Sequence, residues 1–299
     1  MTTGGIEWRT VGVAAGVTVS FAGIIAVHQS IPVVVTLGLL ALASAWYGSL
    51  QHEVLHGHPT PWRWVNLMLG GPPLGLAYPF GAYRDTHIAH HRNDVLTDPL
   101  LDPESYYVLP EHWDAAGTFR RAALVAMRTI SGRLILGPAI YLSGFLAAEV
   151  RAAARGDSLR GWRMARHVLG CMVVLLVVQT TSLPLWEYVL GAGYLGQSVS
   201  MIRSFAEHRA MPDGSRTAVV RSTWFFSLLF LNNNLHLTHH ERPDLAWYEL
   251  PAAHERMRSD AEAAKGAGLY AGYRDVFSRF LVRPFCQPVH PLRRQDAET

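Results

Sequence analysis

The sequence predicts an all-α integral membrane protein, with four transmembrane helices and a cytoplasmic helical cap. Three observations predict it. Of 299 residues, 49% are apolar and only 16% are charged, a balance shifted from soluble domains toward membrane proteins. The apolar residues run in blocks, two of them without any charge. Nine of the fifteen histidines fall into three clusters at helical spacing and one outlier, in segments flanking those blocks: His52/His56, His87/His90/His91, the single His208 and His236/His239/His240.

The first span is residues 10–27 and the second 31–50. Each is long enough to cross a hydrocarbon core of ~30 Å as a helix. Residues 10–27 lack the basic start of a signal peptide and run straight into the second block, so they read as a retained anchor. Residues 134–150 are also apolar, but Arg151, Arg155, Arg160, Arg163 and Arg166 follow them. A span there would put these arginines outside, against the positive-inside rule. Residues 134–150 therefore read as an amphipathic or re-entrant segment at the inner surface. The remaining spans become 167–183 and 184–202, hinged at Ser182–Leu183–Pro184.

One domain over 1–299 results, with a cytoplasmic cap at 51–166 and 203–283 and a loose, proline-rich tail at 284–299. All nine clustered histidines then lie on one face, and the bacterial inner membrane is the expected location. Residues 62–83 contain Gly70, Gly71, Pro72 and Pro73. Proline removes a backbone donor that lipid cannot replace, so this stretch reads as a hairpin dipping into the interface. Residues 222–231 are too short to cross and read as an interfacial helix.

Cys171 and Cys286 form no pairing motif, which excludes a disulfide framework or a zinc ribbon. The net charge of +3 comes from arginines dispersed through apolar sequence, which excludes a nucleic-acid stripe.

Positions i, i+3 and i+4 share a helix face, so His-x-x-x-His and His-x-x-His-His each aim their imidazoles one way. One chance His-x-x-His-His is expected in roughly one chain in twenty-five of this length, and two are far rarer. Eight or nine histidines exceed the needs of one tetrahedral zinc and suit two ions with open positions. Imidazole does not by itself select the metal. With no sulfur ligand and a membrane-surface setting, iron is the choice, and another redox-active metal remains open.

The segments HEVLH at 52–56, HIAHH at 87–91, EH at 207–208 and HLTHH at 236–240, in that order between paired spans, resemble the membrane fatty acid desaturase and hydroxylase superfamily. The resemblance covers roughly residues 30–250. It implies four membrane helices under a cytoplasmic cap, two non-haem irons held by histidines, and O2 as co-substrate in attack on an unactivated C–H bond. It also implies His52, His56, His87, His90, His91, His208, His236, His239 and His240 as ligands. Fatty acyl desaturation or hydroxylation is the expected reaction, with a lipid headgroup, an alkane or a carotenoid as alternative substrates. The chain departs from the family at Ser204, where animal acyl-CoA desaturases have an asparagine that holds a metal-bound water. The role of Asn232, Asn233 and Asn234 is left open, and His58 matches no family ligand position. No haem domain is fused to the boxes, so a separate electron carrier is expected, such as an acidic ferredoxin and its reductase.

A ligating imidazole donates its other N–H to an acceptor, which makes Glu53, Asp85, Asp94, Asp98, Glu207, Asn233, Asn234 and Glu241 candidates for that supporting role. Solvated cap residues are the competing reading for each. Tyr78, Phe80, Tyr83, Trp224 and Phe225 are candidate lining for an acyl tunnel, against an equally ordinary role as interfacial anchors. His28, His112, His167, His254 and His290 read as ordinary surface histidines.

Two rival functions are weaker. His52-Glu53-Val54-Leu55-His56 is a literal zinc-protease motif, but it leaves the other clusters without a purpose, and Pro212-Asp213-Gly214 is only a faint echo of a third-ligand motif. A metal transporter places ligands near the bilayer midplane, whereas these clusters flank the spans. Metal analysis of purified protein distinguishes the protease: two irons per chain are expected, and one zinc without iron would favour proteolysis.

Overall fold

The computed structural model describes residues 5–293. The chain begins with α1 (Trp8–Val27), α2 (Val33–Leu55), α3 (Arg63–Gly70) and α4 (Phe80–His91). Next come α5 (Pro110–Asp114), α6 (Thr118–Ala126), α7 (Ile130–Ala154) and α8 (Ser158–Gln179). A helical run follows as α9 (Leu185–Tyr188), a π-helical stretch (Val189–Leu195) and α10 (Gly196–Ser204). The rest holds α11 (Trp224–Leu229), α12 (His236–Glu241), α13 (Leu250–Met257), α14 (Ser259–Lys265) and α15 (Tyr273–Phe280). Two short strands, β1 (Val219–Val220) and β2 (Leu269–Tyr270), pair in parallel.

The residues group into two compact units. The first comprises the chain up to Asp85 together with Pro138–Ser200, and the second comprises Thr86–Gly137 together with Met201 onward.

Four helices in the described residues are long and apolar enough to cross a membrane: Trp8–Ser30, Val33–Leu55, Ile130–Ala154 and Ser158–Gln179. This is an integral membrane protein. Only 6% of the apolar window of α8 is buried, and Leu169, Leu176 and Val177 stand exposed, a surface that lipid covers and water would not.

This set differs from the spans that the arginine count predicts. Residues 134–150 belong to an unbroken 25-residue helix rather than to a short surface segment. Residues 184–202 form the run interrupted by the π-helical stretch. Two of the five arginines that follow residue 150 have carboxylate partners. Arg160 pairs with Glu149 and Asp157, and Arg163 with Asp85 at 2.6 Å.

In the first unit, close helix contact rests on small residues, as lipid-embedded packing requires. A Cβ at Gly191 would lie 2.8 Å from Leu40 Cβ, and one at Gly196 only 2.5 Å from Ser44 Oγ. Within the π-helical turn the Ala192 carbonyl accepts from Ser44 Oγ at 2.8 Å, which ties α2 to this run. Between α3 and α4 the chain is irregular over Gly71–Pro79, as its prolines predict. Tyr47 donates to the Pro72 carbonyl, and Gln51 to that of Gly70, so α2 holds the hairpin.

The end of the described chain departs from the loose tail that its prolines predict. Phe285, Val289 and His290 are buried, and Val108 donates its N–H to Pro288 O at 3.0 Å. Apolar anchors outweigh proline content here, and residues 294–299 lie outside the described part.

Adding one methyl group tests the packing. Gly191→Ala or Gly196→Ala is expected to cost about 1–3 kcal/mol by overpacking, read as a lower unfolding midpoint in detergent. Gly12→Ala, with nothing among the described residues within 4 Å of its Cβ, should not lower the midpoint, because alanine favours the helix over glycine.

Candidate metal centre

The second unit gathers seven of the nine clustered histidines. His87, His90 and His91 sit on the last turns of α4, and His236, His239 and His240 sit on α12. His208 follows α10 and forms an isolated bridge with Thr217. The chain enters α12 through Leu231 and Asn232, both at left-handed φ (47° and 55°), a conformation that asparagine adopts readily and leucine only when the surroundings enforce it.

Two groups result. The possible ligand nitrogens of His90, His208, His236 and His240 all lie within 4.8 Å of one another, and so do those of His87, His91 and His239. The Nε2 atoms of His90 and His236 are each 3.0 Å from His208 Nε2. His91 Nε2 is 3.0 Å from His87 Nε2 and 3.1 Å from His239 Nε2. Two imidazole nitrogens each about 2.1 Å from an ion, at right angles, stand about 3.0 Å apart. The buried Nε2 of His240 has no hydrogen-bond partner among the described residues. The two groups adjoin, with the His91 and His240 rings stacked at 4.1 Å. The residues therefore fit a pair of metal ions.

The opposite ring nitrogens are held by the protein. His90 Nδ1 is 2.7 Å from Asp102 Oδ1, and His87 Nδ1 is 3.1 Å from Glu104 Oε1. His236 Nδ1 lies 3.2 Å from Asn233 Oδ1 and 3.5 Å from Glu207 Oε1. Asn233 Nδ2 in turn donates to Glu207. Such contacts orient a ring and commit Nε2 to the metal.

Burial keeps most of this set neutral, the form that binds metal. It lowers His91 to about 2, with His87 and His90 adding to the effect, and lowers His208 to about 3, with His90 adding. His236 and His240 are driven well below the usual histidine range by burial and then by neighbouring imidazoles. Burial pushes His90 down as well, but Asp102 and then Glu104 outweigh it and raise the group. Burial alone would raise the Asp102 carboxyl. The His90 hydrogen bond and charge, with the Thr97 and Glu104 N–H groups, hold it low. Glu207 is raised by burial, against the pull of Arg203.

His52 and His56 lie in the first unit at the end of α2, with rings 5.0 Å apart. Glu53 is buried beside them, 3.9 Å from His52 Nδ1.

Among the candidate supporting residues, Glu207 and Asn233 reach a histidine. Others have different partners: Asp85 pairs with Arg163, Asp98 with Arg293 and the N–H groups of Leu100 and Leu101, and Asn234 with the Val220 carbonyl. Asp94 and Glu241 are exposed. Asp102 and Glu104, which the sequence does not single out, take the places beside His90 and His87. Asn233 lies in the turn that leads into α12, three residues before His236. Ser204 presents its carbonyl to Arg133, and Asn232 donates to the Trp247 carbonyl.

The surface reading of the lone histidines holds for His112 and is corrected for His28 and His290. His28 and His290 are buried, His28 between the Ile25 and Ser182 carbonyls. His254 bridges Thr238 and Asp260, His167 contacts Cys171, and His112 is exposed. His58 is buried against Glu7, 2.6 Å from its carboxylate. The Tyr78 ring packs beside Tyr83 and Phe145. Phe80 is buried, whereas Trp224 is 78% exposed.

Asp102→Asn keeps the size of the side chain and removes its charge. It is expected to weaken metal binding by about 10–100-fold, measured by competition with a chelator, while Asp94→Asn leaves it unchanged.

A family profile described as fatty acid desaturase matches residues 29–271. No curated protein matches the chain.

Proposed function

The chain belongs to the fatty acid desaturase family, and on that premise we propose that this oxidoreductase uses two irons and O2 to attack an unactivated C–H bond of a lipid acyl chain. The observation that carries the reading is the convergence of seven imidazoles in two adjoining groups with Nε2 spacings of 3.0–3.1 Å. The proposed ligands are His52, His56, His87, His90, His91, His208, His236, His239 and His240. When bound, a pair of irons would supply the O2 activation that such a bond demands.

The chain's own residues do the positioning. Asp102, Glu104 and Asn233 hold the Nδ1 edges of His90, His87 and His236, so the Nε2 lone pairs keep their direction through turnover. Burial of His90, His208, His236 and His239 excludes water, which would otherwise compete with O2 and consume reactive species. Tyr78, Phe80 and Tyr83 are proposed to line the path of the acyl chain, and the exposed Trp224 and Phe225 to anchor the protein at the lipid interface.

Desaturation removes two hydrogens from the substrate and hydroxylation inserts one oxygen. In both, full reduction of O2 to the oxidation level of water takes two further electrons. A separate carrier such as a ferredoxin, with its reductase, is the proposed source. The proposed location is the bacterial inner membrane, with the centre on the cytoplasmic side. The zinc-protease alternative uses His52, Glu53 and His56 and gives the seven gathered histidines no task.

Lipid mass spectrometry of cells with and without the gene tests the function. The expected product is an acyl chain two hydrogens lighter for desaturation, or one oxygen heavier for hydroxylation, and His239→Ala should abolish it. Unchanged lipids on expression with an electron donor present, or a product that persists in His239→Ala, would contradict the proposal.

A further inference from the structure

We infer that residues 285–293 form a strap that positions one half of the metal centre, acting through Thr97 and Asp102 on His90. The inference rests on the dimetal reading above. Its starting point is Thr97, a β-branched residue at φ 73° and only 2% exposed. Threonine avoids the left-handed region, and it stays there only where surrounding contacts over-determine it.

Those contacts run in two directions. Toward the metal centre, Thr97 N donates to Asp102 Oδ2 at 2.7 Å, and the other Asp102 oxygen lies 2.7 Å from His90 Nδ1. Toward the chain end, Thr97 Oγ1 and His290 Nε2 share a hydrogen bond at 3.2 Å. Ser105 Oγ also donates to the Thr97 carbonyl at 2.6 Å, closing the loop that holds both Asp102 and Glu104.

The strap itself is anchored along its length. Phe285 N donates to Arg128 O at 2.7 Å, Val108 N to Pro288 O at 3.0 Å, and His290 N to Val108 O at 3.1 Å. Arg293 binds the Asp98 carboxylate at 2.9 Å, one residue beyond Thr97. His290 is 1% exposed, with its ring edge-on to Tyr107 at 5.2 Å. The strap thus grips the loop at Thr97, at Asp98 and again at Val108, and the loop fixes the carboxylate that aims His90. His290 and Arg293 are positioning residues: three hydrogen bonds, through Thr97 and Asp102, separate His290 from the ligand His90, and Arg293 acts on the same loop at Asp98.

The test uses purified full-length protein, stripped of metal and titrated with cobalt(II), with ligand-field absorption as the readout. Wild type is expected to take up two equivalents. His290→Ala should weaken one of them by about tenfold, the low end for an outer partner of a ligand, and leave the other as it was. His290→Gln, whose amide reaches the Nε2 position, should restore the weakened site. Wild-type affinity in His290→Ala, or equal weakening of both equivalents without rescue by glutamine, overturns the strap. If His290→Ala does not fold, Arg293→Ala decides: its side chain is partly exposed, it should weaken the same single equivalent to a smaller degree, and unchanged affinity overturns the proposal. Fewer than two equivalents in wild type overturns the dimetal reading itself, a failure distinct from two equivalents that ignore the strap.

Discussion

A buried imidazole must surrender its proton or find a counter-charge, and seven of them packed together compound the problem because each proton repels the next. The second unit answers with position. Carboxylates or an amide take the Nδ1 edge of His87, His90 and His236, and the Nε2 edges of neighbouring rings converge at 3.0–3.1 Å. That convergence is unfavourable for bare lone pairs and favourable for ligands around a cation. Most of the architecture of this unit can be understood as what is needed to hold it.

Helices set the direction of the rings. Two turns of α4 and the short α12 each present three histidines on one side, and the left-handed turn at Leu231 and Asn232 aims α12. Loops supply the acceptors, and a loop has to be tied down before it can orient anything. The segment around Asp102 is tied by Thr97, by Ser105 and by the end of the described chain. In the first unit, the same demand for rigidity is met by glycine contacts between α2 and the π-helical run. His52 and His56 sit at the end of α2.

The ligand candidates were legible because helical periodicity is local: i, i+3 and i+4 fall within one turn, so the spacing of the histidines appears directly in the sequence. The acceptors were not legible in this way. Asp102 lies twelve residues from His90, and Glu104 seventeen from His87. Those distances are closed by a loop whose course depends on the strained Thr97, and no periodicity encodes it. Asn233 stood within reach of a sequence reading because only three residues separate it from His236. The prolines near the chain end signalled looseness, whereas Phe285 and Val289 decide the matter by burial. Length and apolar character alone make Ile130–Ala154 a candidate span.

The central claim is that these nitrogens hold two ions in adjoining sites. Anomalous diffraction at the iron edge, from crystals of protein purified with iron, tests it most directly. Two peaks are predicted, one among the Nε2 atoms of His90, His208, His236 and His240 and the other beside those of His87, His91 and His239. A single peak, or two peaks away from these nitrogens, would contradict it.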